Sequence, residues 1–99
     1  MKTARSIRMN YQAMLQKAAS LDELAGQLKR TADLIDSQIA QISGSWTGDA
    51  SWEYRKKLTR ERDLVRRRAA QLSQGAQGVR GAARRMYNAE MFALSILHL

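Results

Sequence analysis

An apolar repeat with alternating steps of four and three residues is the feature that most constrains this chain. A period of 3.5 residues is typical of helices whose apolar side chains form a coiled-coil-like seam. No stretch alternates with a period of two, so no strand is predicted. The first half contributes Ile7, Tyr11, Met14, Ala18, Leu21, Ala25, Leu28, Ala32, Ile35, Ile39 and Ile42, and the second half contributes Leu58, Val65, Ala69, Leu72, Ala76, Val79, Ala83, Met86 and Ala93.

The repeat is interrupted once, by the turn-forming run Gly44-Ser45-Trp46-Thr47-Gly48-Asp49. After it, Asp49 or Ser51 can cap a second helix, and Glu53 falls in the first turn, where the helix dipole favours an anion. We therefore predict an all-α fold, an antiparallel two-helix hairpin that forms a single domain over residues 1–99. Its parts are a helix at about 4–43, a turn at 44–49, a helix at about 50–92 and an apolar tail at 93–99.

Each seam consists of two lines of residues, one with large apolar side chains and one with alanines. Two seam positions carry a charged residue, Arg62 or Glu90, where an apolar residue is expected. Alanine layers allow two helix axes to approach towards the short end of the usual range of about 8–10 Å. The large line comprises Ile7, Met14, Leu21, Leu28, Ile35 and Ile42, then Leu58, Val65, Leu72, Val79 and Met86; the alanine line comprises Ala18, Ala25 and Ala32, then Ala69, Ala76 and Ala83.

Apolar surface remains outside these seams, most of all in the C-terminal half of the second helix. Gly75, Ala82, Ala89 and Ile96 form a third line there. Glycine inside a helix costs about 1 kcal/mol relative to alanine, so its use indicates close backbone approach or fraying. We predict that residues 72–93 pack against a second chain in a four-helix bundle. The predicted dimer interface comprises Leu72, Gly75, Ala76, Val79, Ala82, Ala83 and Met86.

The composition argues against an enzyme. The chain has no Cys and one His, which excludes a thiolate zinc site and leaves no Ser-His-Asp triad. The acids Asp22, Glu23, Asp33 and Asp36 lie off the seam and are expected to face solvent rather than a pocket. We therefore expect no catalytic residues, no cofactor and no metal.

The charge is strongly basic, with 17 Lys and Arg against 9 Asp and Glu. Such an excess indicates a nucleic acid, an anionic membrane or an acidic protein as partner. Nucleic-acid binding is the alternative function, although its candidate residues lie on nearly every helix face and no known binding module is present. A membrane-surface role for the apolar tail is less favoured, because the tail can bury against a bundle. The candidate nucleic-acid residues are Arg55, Lys56, Lys57, Arg60, Arg62, Arg66, Arg67 and Arg68.

The residues of the break carry a family resemblance. Trp46-Thr47-Gly48 lies between two long helices, Ala50 follows the glycine by two residues, and Tyr54 follows the tryptophan by eight. This pattern resembles the WXG-100 family, the early-secreted-antigen-like proteins of type VII secretion. The resemblance implies a dimerising bacterial protein that leaves the cytoplasm without a cleaved signal peptide, binds the secretion machinery and acts as a co-export partner. Trp46 and Gly48 are then its turn motif.

The family's second signature, a tyrosine followed four residues later by an acid, is imperfect here. Tyr87 is followed by Glu90 at three residues, and Met91 stands at four. Whether this chain carries its own export signal or relies on that of a partner therefore remains open. The partner is a second copy or a related helical protein. A dimer of two chains of net charge +8 repels itself, which favours an acidic heterologous partner.

Overall fold

The computed structural model describes residues 2–97, which form two long helices joined by a three-residue link. Helix α1 spans Ala4–Ser45 and helix α2 spans Asp49–Leu97, with no strand in this range. The predicted all-α, two-helix hairpin fold is thereby confirmed. The chain divides into two compact units, which we call unit 1 (Met1–Asp22 with Ser73–Leu99) and unit 2 (Glu23–Leu72). In each unit a segment of α1 packs antiparallel to a segment of α2.

The start of α1 is fixed by a reciprocal pair of hydrogen bonds. The Ser6 amide donates to the Thr3 hydroxyl at 3.1 Å, and the Thr3 amide donates to the Ser6 hydroxyl at 3.0 Å. This arrangement satisfies amide groups that have no partner within the helix, in the manner of a capping box. It accounts for a helix that begins immediately after Thr3.

Both helices run past the ends predicted for them. α1 continues through Ser45, and α2 continues through Leu97 instead of stopping near residue 92. Residues 93–97 are therefore helix rather than a separate tail, because they contain good helix formers and no Gly or Pro that would end the helix. The remainder of the predicted tail, residues 98 and 99, lies outside the described residues.

The alanine line forms the contact between the helices. Its six members are at most 1% exposed, whereas the large line beside it is mostly half-buried. Only Ile7 and Leu58, the first member of the large line on each helix, are buried. Met86 has the most exposed side chain of the large line, at 47%. The small side chains bring the helices together and leave the large ones at the edge of the contact.

The two charged residues on the seam have carboxylate or ammonium partners. In unit 2, the Arg62 guanidinium donates to Asp36 at 2.7 Å and to Asp63 at 3.0 and 3.1 Å. In unit 1, Glu90 accepts from the Lys2 ammonium at 2.5 Å. Because each charge is paired at the edge of the contact, these seam positions are occupied without leaving an isolated charge.

Two adjacent alanines test whether the contact depends on small side chains. Ala69 is fully buried and Ala70 is exposed on the same helix turn. We expect Ala69→Leu to lower the free energy of unfolding by about 1–3 kcal/mol, because the added carbons have no space between the helices. Ala70→Leu should change it by less than about 0.5 kcal/mol. Denaturant unfolding measures both, and equal stabilities would contradict an alanine-centred core.

Candidate functional site: the turn motif and the apolar faces

Gly48 provides the backbone conformation at which the chain leaves the link and enters α2. Its φ is +99°, in the left-handed region, and it has the only positive φ among the described residues. The amide of Trp46 still donates to the carbonyl of Ile42, at 2.9 Å, and closes α1. The amide of Trp52 donates to the carbonyl of Gly48, at 3.2 Å, and opens α2. The reversal therefore takes place within the three-residue link, and the positive φ at its last residue favours a residue without a Cβ.

Neither residue predicted to cap α2 does so. Gly48 precedes the helix and accepts its first hydrogen bond, while Asp49 is the first helical residue. Ser51 is only 2% exposed, and its hydroxyl donates to the carbonyl of Trp46 at 3.4 Å. The serine thus ties the first turn of α2 to the end of α1. Asp49 still lies where the helix dipole favours a negative charge.

Trp46 lies on the surface of unit 2 rather than in its core. Its side chain is 55% exposed, and its ring centroid lies 6.2 Å from that of Tyr54, with the rings tilted by 33°. The predicted turn motif therefore offers an aromatic pair to solvent. An exposed pair of large aromatic side chains is available for contact with another protein.

Two glycines near the link allow the strain at Gly48 to be measured against a control. A Cβ added at either Gly44 or Gly48 meets no side chain of the described residues within 4 Å, so backbone conformation is what distinguishes the two positions. Gly48→Ala should destabilise the chain by about 1–2 kcal/mol, because its φ is positive. Gly44→Ala, within α1, should stabilise it by about 0.4–1 kcal/mol. Thermal unfolding tests this, and shifts of the same sign would refute the assignment.

The imperfect export motif packs against the first turns of α1 within unit 1. The rings of Tyr87 and Tyr11 pack in a tilted arrangement, with centroids 4.9 Å apart and planes inclined by 39°. Tyr87 and Glu90 line one pocket together with Ile7, and Glu90 is the partner of Lys2. The two motif residues are therefore half-buried neighbours on one side of α2. Their role as an export signal stays a prediction.

The predicted dimer interface is split by the structure. Ala76 and Ala83 are buried against α1, so a second chain cannot contact them in this arrangement. Gly75 and Met86 are exposed, Val79 and Ala82 are half-buried in unit 1, and Leu72 is half-buried in unit 2. The periodicity alone could not tell which of the two seam lines faces the other helix.

Two residues of α1 belong to the same surface and were not in the predicted interface. Met14 lines a pocket with Met86, and the Cδ1 atom of Leu21 lies 3.9 Å from the position of a Cβ at Gly75. Met14 and Leu21 both belong to the large line, and this membership is the sequence signal that could have placed them in the interface. We call this surface the unit 1 face, and it comprises Met14, Leu21, Gly75, Val79, Ala82 and Met86.

A comparison with protein families agrees with this layout. The family described as proteins of 100 residues with WXG matches residues 6–91, which include the turn, Tyr87, Glu90 and most of both helices. The chain belongs to the WXG100 family. Membership implies a helical hairpin protein of type VII secretion. No match is found among curated proteins or among solved structures.

This WXG100 protein also carries ion pairs between its helices. Asp22 accepts a hydrogen bond from Arg80 in unit 1, and Asp36 accepts from Arg62 and Arg66 in unit 2. Both acids were expected to face solvent, but both are half-buried. They join the helices because each follows a buried alanine by four residues and so lies beside the contact.

These pairings shift the acid–base equilibria of unit 2. The hydrogen bond from Arg62 holds the pKa of Asp36 below its ordinary value, assisted by the charge of Arg66, although partial desolvation opposes the shift. The hydrogen bond to Asp36 in turn raises the pKa of Arg62. A lowered carboxyl pKa means that the ionised form is favoured in the folded chain. Its contribution to stability is present above the ordinary pKa and is lost as the pH falls through the lowered one.

Asp36→Asn therefore destabilises the WXG100 protein in a pH-dependent way. At neutral pH its melting temperature should lie below that of the wild type, and the difference should shrink and then disappear as the pH falls through the lowered pKa of Asp36 and the wild-type carboxyl becomes protonated. Asp33→Asn is the control, because Asp33 is 74% exposed and lies 3.7 Å from Arg66. It should have little effect at any pH. A difference for Asp36→Asn that persists in acid would refute the assignment.

A metal site requires a cluster of ligating side chains, and a membrane-spanning helix requires a long apolar stretch. Within residues 2–97, no group of three or more His, Cys, Asp and Glu side chains could hold a metal ion. Neither helix, over the range described, has a stretch long and apolar enough to cross a membrane.

Proposed function

We propose that this WXG100 protein is a non-enzymatic binding and co-export partner in type VII secretion, and that it pairs with a second helical hairpin in a four-helix bundle. One observation carries this proposal. The alanine line occupies the contact between the helices, while the large apolar side chains are left at its edge.

The energetics of burial favour a partner. Burying a methyl group gains roughly 0.8 kcal/mol, whereas fully burying a Leu, Val or Met side chain gains about 1.5–3 kcal/mol. The intramolecular contact therefore uses the smallest apolar side chains. A chain of 99 residues buries a modest fraction of its surface on folding, so further burial of the large line would add substantially to its stability.

The unit 1 face has the shape that a second helix requires. Gly75 and Ala82 are small, and a Cβ built at Gly75 meets Cδ1 of Leu21 at 3.9 Å and no other side chain of residues 2–97 within 4 Å. Met14 and Met86 line one pocket of the same unit, and methionine adapts readily to an opposing surface. A partner helix can approach the backbone at Gly75 and cover both methionines.

The net charge favours an acidic, heterologous partner over a second copy. Each chain carries +8, and in a homodimer that charge would repel its own copy. The export motif supports the same choice. Its acid, Glu90, follows Tyr87 by three residues instead of four and is already paired with Lys2. A partner that carries the complete motif would supply the export signal for both chains in co-export.

Sedimentation of matched variants tests the bundle. A charge at Met86 has to be buried unpaired in the complex, so Met86→Glu should weaken association at least about 100-fold. Asn88→Glu adds the same charge at an exposed position outside the unit 1 face and should leave association nearly unchanged. The wild type should sediment above its mass of 11.2 kDa, alone or mixed with an acidic WXG100 chain.

Two results would contradict this proposal. One is a wild-type chain that stays monomeric at tens of micromolar in both conditions. The other is equal association of the wild type and Met86→Glu. Circular dichroism of each variant alone establishes that the helices are retained, so that a loss of association can be assigned to the surface.

A further inference from the structure

A basic groove lies in unit 2, close to the link between the helices. It is lined by side chains from both helices, with Ile39 and Ser43 from α1 opposite a longer set from α2. We use the name basic groove for the surface formed by Ile39, Ser43, Trp52, Arg55, Lys56 and Arg60. The bundle proposed above does not use these residues.

The positive charge of this groove is not neutralised within the described chain. Arg62 and Arg66, further along α2, are paired with Asp36. In contrast, no carboxylate of residues 2–97 forms a salt bridge with Arg55, Lys56 or Arg60. Three cations within six residues repel each other, and an anion placed between them would remove that repulsion.

Arg55 also has an unsatisfied hydrogen-bond donor. Its Nε is buried and has no partner among the described residues. Its Nη1 donates to the Ser43 hydroxyl at a long 3.4 Å. A buried donor without an acceptor is costly, so the Arg55 guanidinium is incompletely paired within the described residues. A carboxylate that enters the groove can accept hydrogen bonds from the part of this guanidinium that lines it.

Trp52 favours a carboxylate over a nucleobase. Its side chain is 52% exposed, and the Lys56 ammonium lies 4.2 Å from the ring centroid, so a cation already covers one face of the indole. Base stacking on that face would have to displace the lysine. An acidic side chain can instead pair with the lysine where it stands.

The surroundings of the groove favour a short acidic segment over a continuous phosphate backbone. Asp36 lies one helical turn from Ile39 and holds both Arg62 and Arg66. A nucleic-acid strand following the positive charge along α2 would meet this carboxylate and that of Asp63. A peptide that carries two or three carboxylates needs only the groove itself.

We propose that the basic groove binds an acidic peptide segment of a partner protein, with its carboxylates at Arg55, Lys56 and Arg60. The proposal goes beyond the bundle and does not depend on it. A chain that proves monomeric can still bind the acidic segment, and a chain that forms the bundle can still lack this site.

Fluorescence anisotropy with the full chain tests the groove against general charge attraction. The probes are a labelled peptide of about ten glutamates and a labelled oligothymidylate of about ten nucleotides. Lys56→Glu/Arg60→Glu should weaken binding of the peptide about tenfold or more. The double variant removes two partly exposed ion pairs with the peptide and replaces each attraction with a repulsion. Arg67→Glu/Arg68→Glu makes the same change of charge at exposed positions outside the groove and should weaken it less than about threefold.

Two outcomes would overturn the proposal. Equal losses in the two double variants would show attraction to net charge alone, and tighter binding of the oligothymidylate than of the glutamate peptide would assign the surface to nucleic acid. If circular dichroism shows that Lys56→Glu/Arg60→Glu has lost helix, Lys56→Gln/Arg60→Gln replaces it. The matched control is then Arg67→Gln/Arg68→Gln, and the groove pair should again lose more affinity than the control.

Discussion

The contact between facing alanines determines how the other side chains of this protein are used. Every alanine of the line is followed at three residues by a large apolar side chain and at four residues by a polar, charged or tyrosine side chain. In chain order, the six pairs that follow are Leu21 and Asp22, Leu28 and Lys29, Ile35 and Asp36, Leu72 and Ser73, Val79 and Arg80, and Met86 and Tyr87. Residues at these two spacings lie on either side of the first along a helix. Once the alanines are buried, one edge of the contact between the helices is therefore apolar. The other edge carries the ion pairs and the tilted ring pair of Tyr11 and Tyr87.

The ion pairs make the polar edge compatible with the close approach of the helices. Asp36 binds two arginines of α2 in unit 2, and Asp22 binds Arg80 in unit 1. Pairs of this exposure contribute modestly to stability, so their greater effect is on register. A shift of one residue would place the carboxylates of α1 opposite the wrong side chains of α2. The polar edge thereby specifies which large residues are left together on the apolar edge.

The sequence predicts the helices and the break well, because a 3.5-residue period without proline has few other solutions. It does not predict which seam line faces inward. Alanine and leucine at neighbouring seam positions satisfy the same pattern, and only the actual distance between the helices selects Ala76 and Ala83 for burial. The cap at Thr3 and Ser6 is not predicted, and Asp49 or Ser51 is expected as the cap of α2 where Gly48 accepts the first hydrogen bond, for a related reason. Several residues near each end could cap a helix, and backbone geometry decides among them.

Because the apolar edge and the polar edge lie on opposite sides of the alanine contact, the large line and the basic groove of unit 2 can be occupied at the same time. Ile42 and Ser43 follow Ile39 by three and four residues, so they lie on opposite sides of it. Ser43 lines the basic groove, whereas Ile42 belongs to the large line. A helix packed on the large line therefore leaves Trp52, Lys56 and Arg60 open to a different segment. Because the apolar edge and the groove are separated by the alanine contact itself, one small hairpin presents two binding surfaces of different chemistry.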